Sequence, residues 1–369
     1  MKKKLRVIFA FMTVFMLVTA CSNKKEDTNK QTSASSYAKA MKDEPYSEEE
    51  FLLGTYVRIR VYDKDKETAI QPAMKRIKEL GDKITINQSG SEIDELNVQA
   101  GKKPVKVSKD VYNLLKQAAK YSDESKGGFN MAIGAITQLW RIGFDDARKP
   151  AQSEINQALE HIDYHQIEFN DEKQTVYLKD KGMIVDLGAI AKGYIADEAV
   201  AVLRKHKVQS AIVDLGGNIF VVGHSNRGRN QKWNVGVQDP NKARGSILGT
   251  IKEADKTIVT SGIYERYLEI EGKKYHHIFD SKTGYPYDND IASVTVITDK
   301  SIDGDGLTTV VFDKGIKEGL KYIENKTPDG TSAIFVTREN KVYLTDDIKD
   351  SFDLNEKAGY KKGNRNELE

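Results

Sequence analysis

Residues 274–286 read KYHHIFDSKTGYP, with His276 and His277 side by side, Asp280 three positions on, and a Thr283-Gly284 turn closing the run. Imidazole titrates close to neutral pH, so a histidine here could serve as a general base. Neighbours on an extended run point to opposite faces, so at most one of the pair faces a given site. Asp280 could orient that histidine or shape the turn. A second chemistry-bearing run is SIDGDGLTT, 301–309. Asp305 and Thr309 are one helical turn apart, so a carboxylate and a hydroxyl can face one point. Hard oxygen ligands of that kind suit Mg2+, which takes the rest of its shell from water and phosphate. Asp303 competes for the same role. An aspartate cap with a threonine on a helix flank is the ordinary alternative.

Two glycine-bearing runs could cradle an anion. In VDLGAIAKGYIAD, 185–197, Asp186 ends a strand-like run, Gly188 and Gly193 allow close backbone approach, and Lys192 sits near a helix start. Exposed N–H groups there and a nearby ammonium suit an anionic ligand such as a pyrophosphate. In DLGGN, 214–218, Gly216 and Gly217 permit a bend, or a ligand lying against bare backbone.

The elements that must carry these groups are legible from periodicity. LLGTYVRIRVYD alternates Val57, Ile59 and Val61 with Arg58 and Arg60, the pattern of a strand with one buried face. The spacing predicts helices over about 65–82, from Ser108 to Gly127, and over 191–206. Strands are expected at SAIVDL, GGNIFVVG and SVTVIT, with a hairpin-like pair, SAIFVT and KVYLT, joined through residues 338–340. No internal repeat and no steady βαβ rhythm is present, so the expected class is α+β.

The first twenty residues have a basic start (Lys2, Lys3, Lys4, Arg6) and an unbroken apolar run, ending in LVTAC. That is the layout of an export leader. Cys21 is the single cysteine of the chain, so it has no disulfide partner within it. Small residues before it resemble a lipobox, which implies cleavage before Cys21, a lipid on its thiol, and a place at the extracytoplasmic face of the cell membrane. Residues 21–50 read as the lipidated cysteine and a flexible tether, 51–350 as the folded body, and 351–369 as a loose polar tail. Without the leader the formal charge of +2 falls to about −2. No basic patch with interleaved aromatics is present, which argues against nucleic acid as a partner.

In order along the chain, LGTYVRI, GGFNMAIGAITQLW, VDLGAIAKGYIAD, AIVDLGGNIFVVG, WNVGVQDP, VTSGIYERYLEIEGKKYHHIFDSKTGYP and SVTVIT followed by DGDGLTTVVF resemble the ApbE family of FAD:protein FMN transferases. The resemblance spans about 50–345. It implies one large ApbE-like (T-fold-like) α+β domain, with mixed and antiparallel sheets flanked by helices. It also implies Mg2+-dependent splitting of FAD, transfer of the FMN half to a threonine hydroxyl of an exported acceptor protein, and release of AMP.

Carried over by motif, Asp305 and Thr309 match the metal-binding pair, and Ala189 matches a position whose carbonyl helps hold the metal. His277 matches the histidine of the H-[IV]-x-D-P-x-T-G run, proposed to serve catalysis, with Asp305 as the alternative proton acceptor. Asp186 and Lys192 match FAD contacts. The resemblance extends the flavin site to Leu53, Asn87, Gly128, Phe129, Asn130, Gly216, Gly217, Ser261, His277 and Ile278.

Three positions depart from the pattern. Leu53 stands for the usual Met, Asn130 for the usual Asp with loss of a charge, and Ser281 for the usual Pro, which should loosen its turn. Three other readings remain open at this point, one of them a solute-binding lipoprotein, suggested by the leader and tether alone, which would leave the ordered motif series unexplained. Water could replace the threonine, giving FMN and AMP. A lipoprotein that only holds flavin would not need the Asp305/Thr309 pair.

Overall fold

The computed structural model describes residues 36–368. The leader, Cys21 and the first part of the expected tether lie outside the described residues. Among those described, no helix is long and apolar enough to cross a membrane.

The chain opens with a hairpin, β1 (Met41–Leu52) and β2 (Thr55–Asp63), whose tip is the pair Leu53 and Gly54. Helices α1 (Ile70–Ile84) and α2 (Glu92–Val98) follow, then β3 (Val105–Lys106), α3 (Lys109–Glu124), α4 (Gly134–Trp140) and α5 (Gln152–Leu159). Next come β4 (Ile167–Asn170), β5 (Thr175–Leu178) and α6 (Ala191–Lys205). The strands β6 (Ser210–Leu215), β7 (Asn218–Gly223), β8 (Trp233–Gln238), β9 (Ile247–Glu253) and β10 (Lys256–Gly262) run consecutively. After β11 (Tyr267–Ile270), β12 (Lys273–His276) and β13 (Ile291–Thr298), the longest helix is α7 (Ser301–Lys326). The chain closes with β14 (Ser332–Thr337), β15 (Lys341–Leu344), β16 (Asp353–Leu354) and β17 (Lys361–Lys362).

A nine-stranded sheet, in the order β1-β2-β6-β7-β10-β13-β14-β15-β17, forms the backbone of the fold. Its pairings are antiparallel except β15–β17. Side chains alternate along each strand, so the sheet feeds two cores. Val294, Val296 and Phe335 face α1, α3, α6 and α7 in the larger one. Ile258, Ile297 and Ile334 face the small sheet β16-β9-β8 in the other. Burial on both faces explains why β13 is apolar or small-polar throughout and reads as a continuous run.

Two expectations at the ends of the body are corrected. The stretch read as tether stops by Met41, where β1 begins and pairs with β2. Met41 is buried, and Tyr46 and Leu52 pack on the larger core. The charges of KDEPYSEEE that suggested disorder belong to an edge strand, where they discourage pairing with other chains. The tail is not loose either. Phe352 and Tyr360 are buried in the second core, β16 pairs with β9, and β17 with β15.

Candidate functional site

A cavity of about 980 Å3 lies at one end of the sheet, where β10, the β6–β7 turn, the starts of α6 and α7, and the 277–281 segment converge. Its size matches small-molecule sites at the upper end of the usual range. Asp186, Ala189, Lys192, His277, Asp305 and Thr309 all line it, although the first and last of them are 123 positions apart in sequence.

The floor is built where α6 crosses α7. Each helix caps the other with a carboxylate. Asp305, on α7, accepts a hydrogen bond from the backbone N–H of Gly193 near the start of α6 at 2.6 Å. Asp197, on α6, accepts from the N–H groups of Ser301 and Ile302 at the start of α7, at 2.8 and 3.0 Å. The first N–H groups of a helix have no intrahelical partner and sit at its positive end, so a carboxylate there satisfies both needs. Asp305 is buried, and its other oxygen accepts from Asn218 Nδ2 at 3.0 Å. Burial pushes its pKa up, while the ammonium of Lys192 and the two hydrogen bonds pull it down, and the net direction is up. Burial likewise holds Asp197 up at about 6.

This crossing explains Gly193. A Cβ at that position would sit 2.2 Å from the carbonyl oxygen of Ser301, and backbone cannot yield as a side chain can. The glycine therefore serves helix packing rather than a ligand. Gly193→Ala should cost about 1–3 kcal/mol of stability, the usual penalty for overpacking, read as a lower urea midpoint at unchanged m.

The two histidines go to different places. His276 is buried; its Nε2 donates to the carbonyl of Tyr287 at 2.8 Å, and its Nδ1 accepts from the N–H of Ile278. Both ring nitrogens are spent on structure, and burial holds its pKa at about 4. His277 lines the cavity. Its Nδ1 lies 3.2 Å from the carbonyl of Arg266, which can only accept, so Nδ1 carries the proton and Nε2 keeps the lone pair. Burial, reinforced by the Arg266 guanidinium, holds the imidazole at about 3, so it is neutral at physiological pH.

Trp140 pins this segment. Its ring packs on Tyr275, Phe279 and Tyr285 with centroids 5.4, 5.8 and 5.4 Å away, and its Nε1 donates to the carbonyl of Gly284 at 3.0 Å. Asp280 shapes the turn, accepting from Lys282 N–H and Thr283 Oγ1 and leaving the imidazole to Arg266. Ser281 does not loosen it, because its hydroxyl donates to the carbonyl of Gly127 at 2.6 Å.

The other expected site residues divide into two groups. Asn87, Gly128, Phe129, Asn130, Asp186, Lys192, Gly216, Ser261 and Ile278 line the cavity. Asp186 is held by Thr137 Oγ1 at 2.6 Å and by the N–H of Gly188 at 2.9 Å. Asn130 donates to the carbonyl of Ile162 at 2.9 Å, a bond the usual aspartate could not make when ionised. Ser261 donates to Thr308 Oγ1 at 2.9 Å.

Leu53 and Gly217 are not among the lining residues. Leu53 sits at φ +56 in the β1–β2 turn and leans on Gly81 of α1. Gly216 and Gly217, at φ +65 and +98, form the two-residue β6–β7 turn, a hairpin geometry that demands positive φ at both positions. Asp303 is also excluded as a ligand candidate, since its carboxylate accepts from Tyr121 of α3 at 2.8 Å and does not line the cavity.

Several contributors were not singled out from the sequence. Asp197 ends the VDLGAIAKGYIAD run, and its spacing of one turn from Gly193 was its only local signal. Asn218 and Trp140 act through partners distant in sequence, Asp305 and Gly284, which no local pattern reveals.

The oxygen set fits a hard divalent cation. No group of three or more His, Cys, Asp and Glu side chains converges as a metal cluster among the described residues. Asp305, Thr309 and Ala189, which carry a carboxylate, a hydroxyl and a backbone carbonyl, instead line one cavity. In a regular helix the N–H of Gly193 would reach the carbonyl of Ala189, but it is spent on Asp305 and leaves that carbonyl free. A buried carboxylate raised in pKa is also a group that gains from a neighbouring cation.

The ApbE family model matches residues 53–335. A FAD:protein FMN transferase of Klebsiella pneumoniae is 36% identical over 300 residues, covering 81% of this chain and 92% of its own. One from Treponema pallidum is 36% identical over 320 residues, covering 83% and 88%. The crystal structure of the ApbE protein from Thermotoga maritima superposes with a TM-score of 0.76 at 28% identity, covering 83% of this chain and 98% of that one. With that match over most of the folded body, the chain belongs to the ApbE family.

Proposed function

We propose that this chain transfers FMN from FAD to a threonine hydroxyl of an exported acceptor protein, releasing AMP, with Mg2+ at the site and a lipid on Cys21 holding it to the outer face of the membrane. The names of the relatives support the flavin chemistry, and the leader and LVTAC run support the address. One observation carries the reading. A neutral imidazole, an ammonium and a hard-oxygen set from three separate segments open onto one cavity of dinucleotide size.

Asp305, Thr309 and the Ala189 carbonyl would hold the cation. When bound, it would supply Lewis-acid polarisation of a phosphoryl oxygen and offset charge on the leaving phosphate. Lys192 lines the same wall and makes no ion pair among the described residues, so its ammonium is available to the pyrophosphate. His277 Nε2 takes the proton from the acceptor hydroxyl as its oxygen bonds to the FMN phosphorus. The P–O bond to AMP breaks, and AMP leaves with the electron pair. Phe51, Tyr56, Phe144 and Tyr267 are exposed and line the mouth, as a surface that meets another polypeptide would be.

The test is to incubate the protein with FAD, Mg2+ and candidate exported proteins, and to look by mass spectrometry for FMN on threonine. AMP and FMN formed with no protein modified would replace transfer by hydrolysis. FAD retained with no AMP would leave only flavin binding.

A further inference from the structure

The loop from Asp239 to Ser246 joins β8 to β9, and its Pro240, Asn241, Lys242, Ala243 and Arg244 line the cavity. Arg244 reaches from it to the carbonyl of Gly216 and to Glu265, so the loop crosses one side of the mouth. Its root is held from the far end of the chain. Tyr360, 2% exposed, donates its hydroxyl to Asp239 Oδ1 at 2.5 Å and accepts from Asn241 Nδ2 at 3.1 Å. Asp239 is fully buried, and its remaining partners are the N–H of Asn241 and the ammonium of Lys242, both from the loop itself. Asn340 takes a second bond from Asn241 Nδ2 at 2.8 Å and receives the N–H of Lys361, tying the strand that follows Tyr360 to the same point. Tyr360 itself is not a lining residue and lies beyond residue 335, where the family match ends.

We infer that Tyr360 is a positioning residue for FAD capture: its hydroxyl holds the Asp239–Ser246 loop in the conformation that completes the cavity wall. The inference rests on the reading that FAD occupies this cavity. A hydrogen bond to a buried carboxylate is among the stronger neutral–charged contacts, and its loss frees a loop that binding must then order again. The cost falls on binding, because the loop carries neither His277 nor Asp305.

Tyr360→Phe removes the hydroxyl and keeps the ring in the second core. In this variant, hydrogen exchange at the amides of residues 241–245 should quicken about tenfold or more, while β8 stays protected. The Kd for FAD, read by flavin fluorescence in Mg2+ buffer, should weaken about tenfold, and AMP release at saturating FAD should stay within about twofold. Asn340→Ala, outside the cavity, should move both readings the same way by a smaller factor, and it decides the matter if Tyr360→Phe does not fold. Unchanged loop exchange overturns the inference. So does faster exchange with an unchanged Kd, which would make the contact merely structural. A wild-type chain that takes up no FAD removes the functional reading and this inference together, a result distinct from equal binding by wild type and variant.

Discussion

Asp305→Asn should abolish Mg2+-dependent turnover, lowering the rate of AMP release by about 10^3 or more. Several kcal/mol of charge stabilisation come from a bound cation, and each 1.36 kcal/mol is a factor of ten in rate. The substitution keeps shape and removes charge. It also sets an amide N–H2 against one of two donors, because the Asp305 oxygens accept from Gly193 N–H and Asn218 Nδ2. The cap on α6 therefore weakens as well, at about 1 kcal/mol. The checks are a Mg2+ titration of FAD cleavage and a parallel unfolding curve. A variant that folds and turns over normally, or a wild type fully active in chelator, would remove the metal from the site.

His277→Ala should retain FAD and lose transfer by about 10^2 to 10^4, the range for a positioned general base. Because Nδ1–H is committed to Arg266, Nε2 is the only ring atom that can take a proton. The pH dependence follows from the same environment. The folded pKa of about 3 lies below the ordinary 6.5, so the neutral ring contributes stability above pH 6.5 that is lost as pH falls toward 3. The base is therefore available across the physiological range. At saturating Mg2+ the rate should show no histidine limb near pH 6.5, and the His277 ring signals in NMR should not titrate between about pH 5 and 8. A His277-dependent limb near 6.5, or normal transfer by the alanine variant, would place the base elsewhere.

Much of the scaffold was legible before any coordinates. The strand SAIVDL occupies its expected bounds, and the helices at 109–124 and 191–205 lie within a few residues of theirs, because apolar spacing reports a buried face directly. The first helix starts later than its periodicity predicts, since residues 67–69 form a 3-10 turn. The ends misled for one reason. Charge and polarity signal disorder only when no partner surface exists, and β1 and the C-terminal strands find theirs across the sheet.

By itself, the order of short motifs along the chain determined the family, the α+β class and the residues to suspect, since each motif is a local run whose residue types survive inspection one at a time. Only the tertiary structure decided what those residues do. It turned Gly193 into a packing residue and Gly216-Gly217 into a hairpin tip, leaned the turn residue Leu53 on a helix, and separated His276 from His277. It also matched Asp305 with Gly193, 112 positions away, and Tyr360 with Asp239, 121 positions away. The physical reason is that a hydrogen bond or a desolvated charge is defined by its partner, and partners so distant leave no periodic trace in the chain.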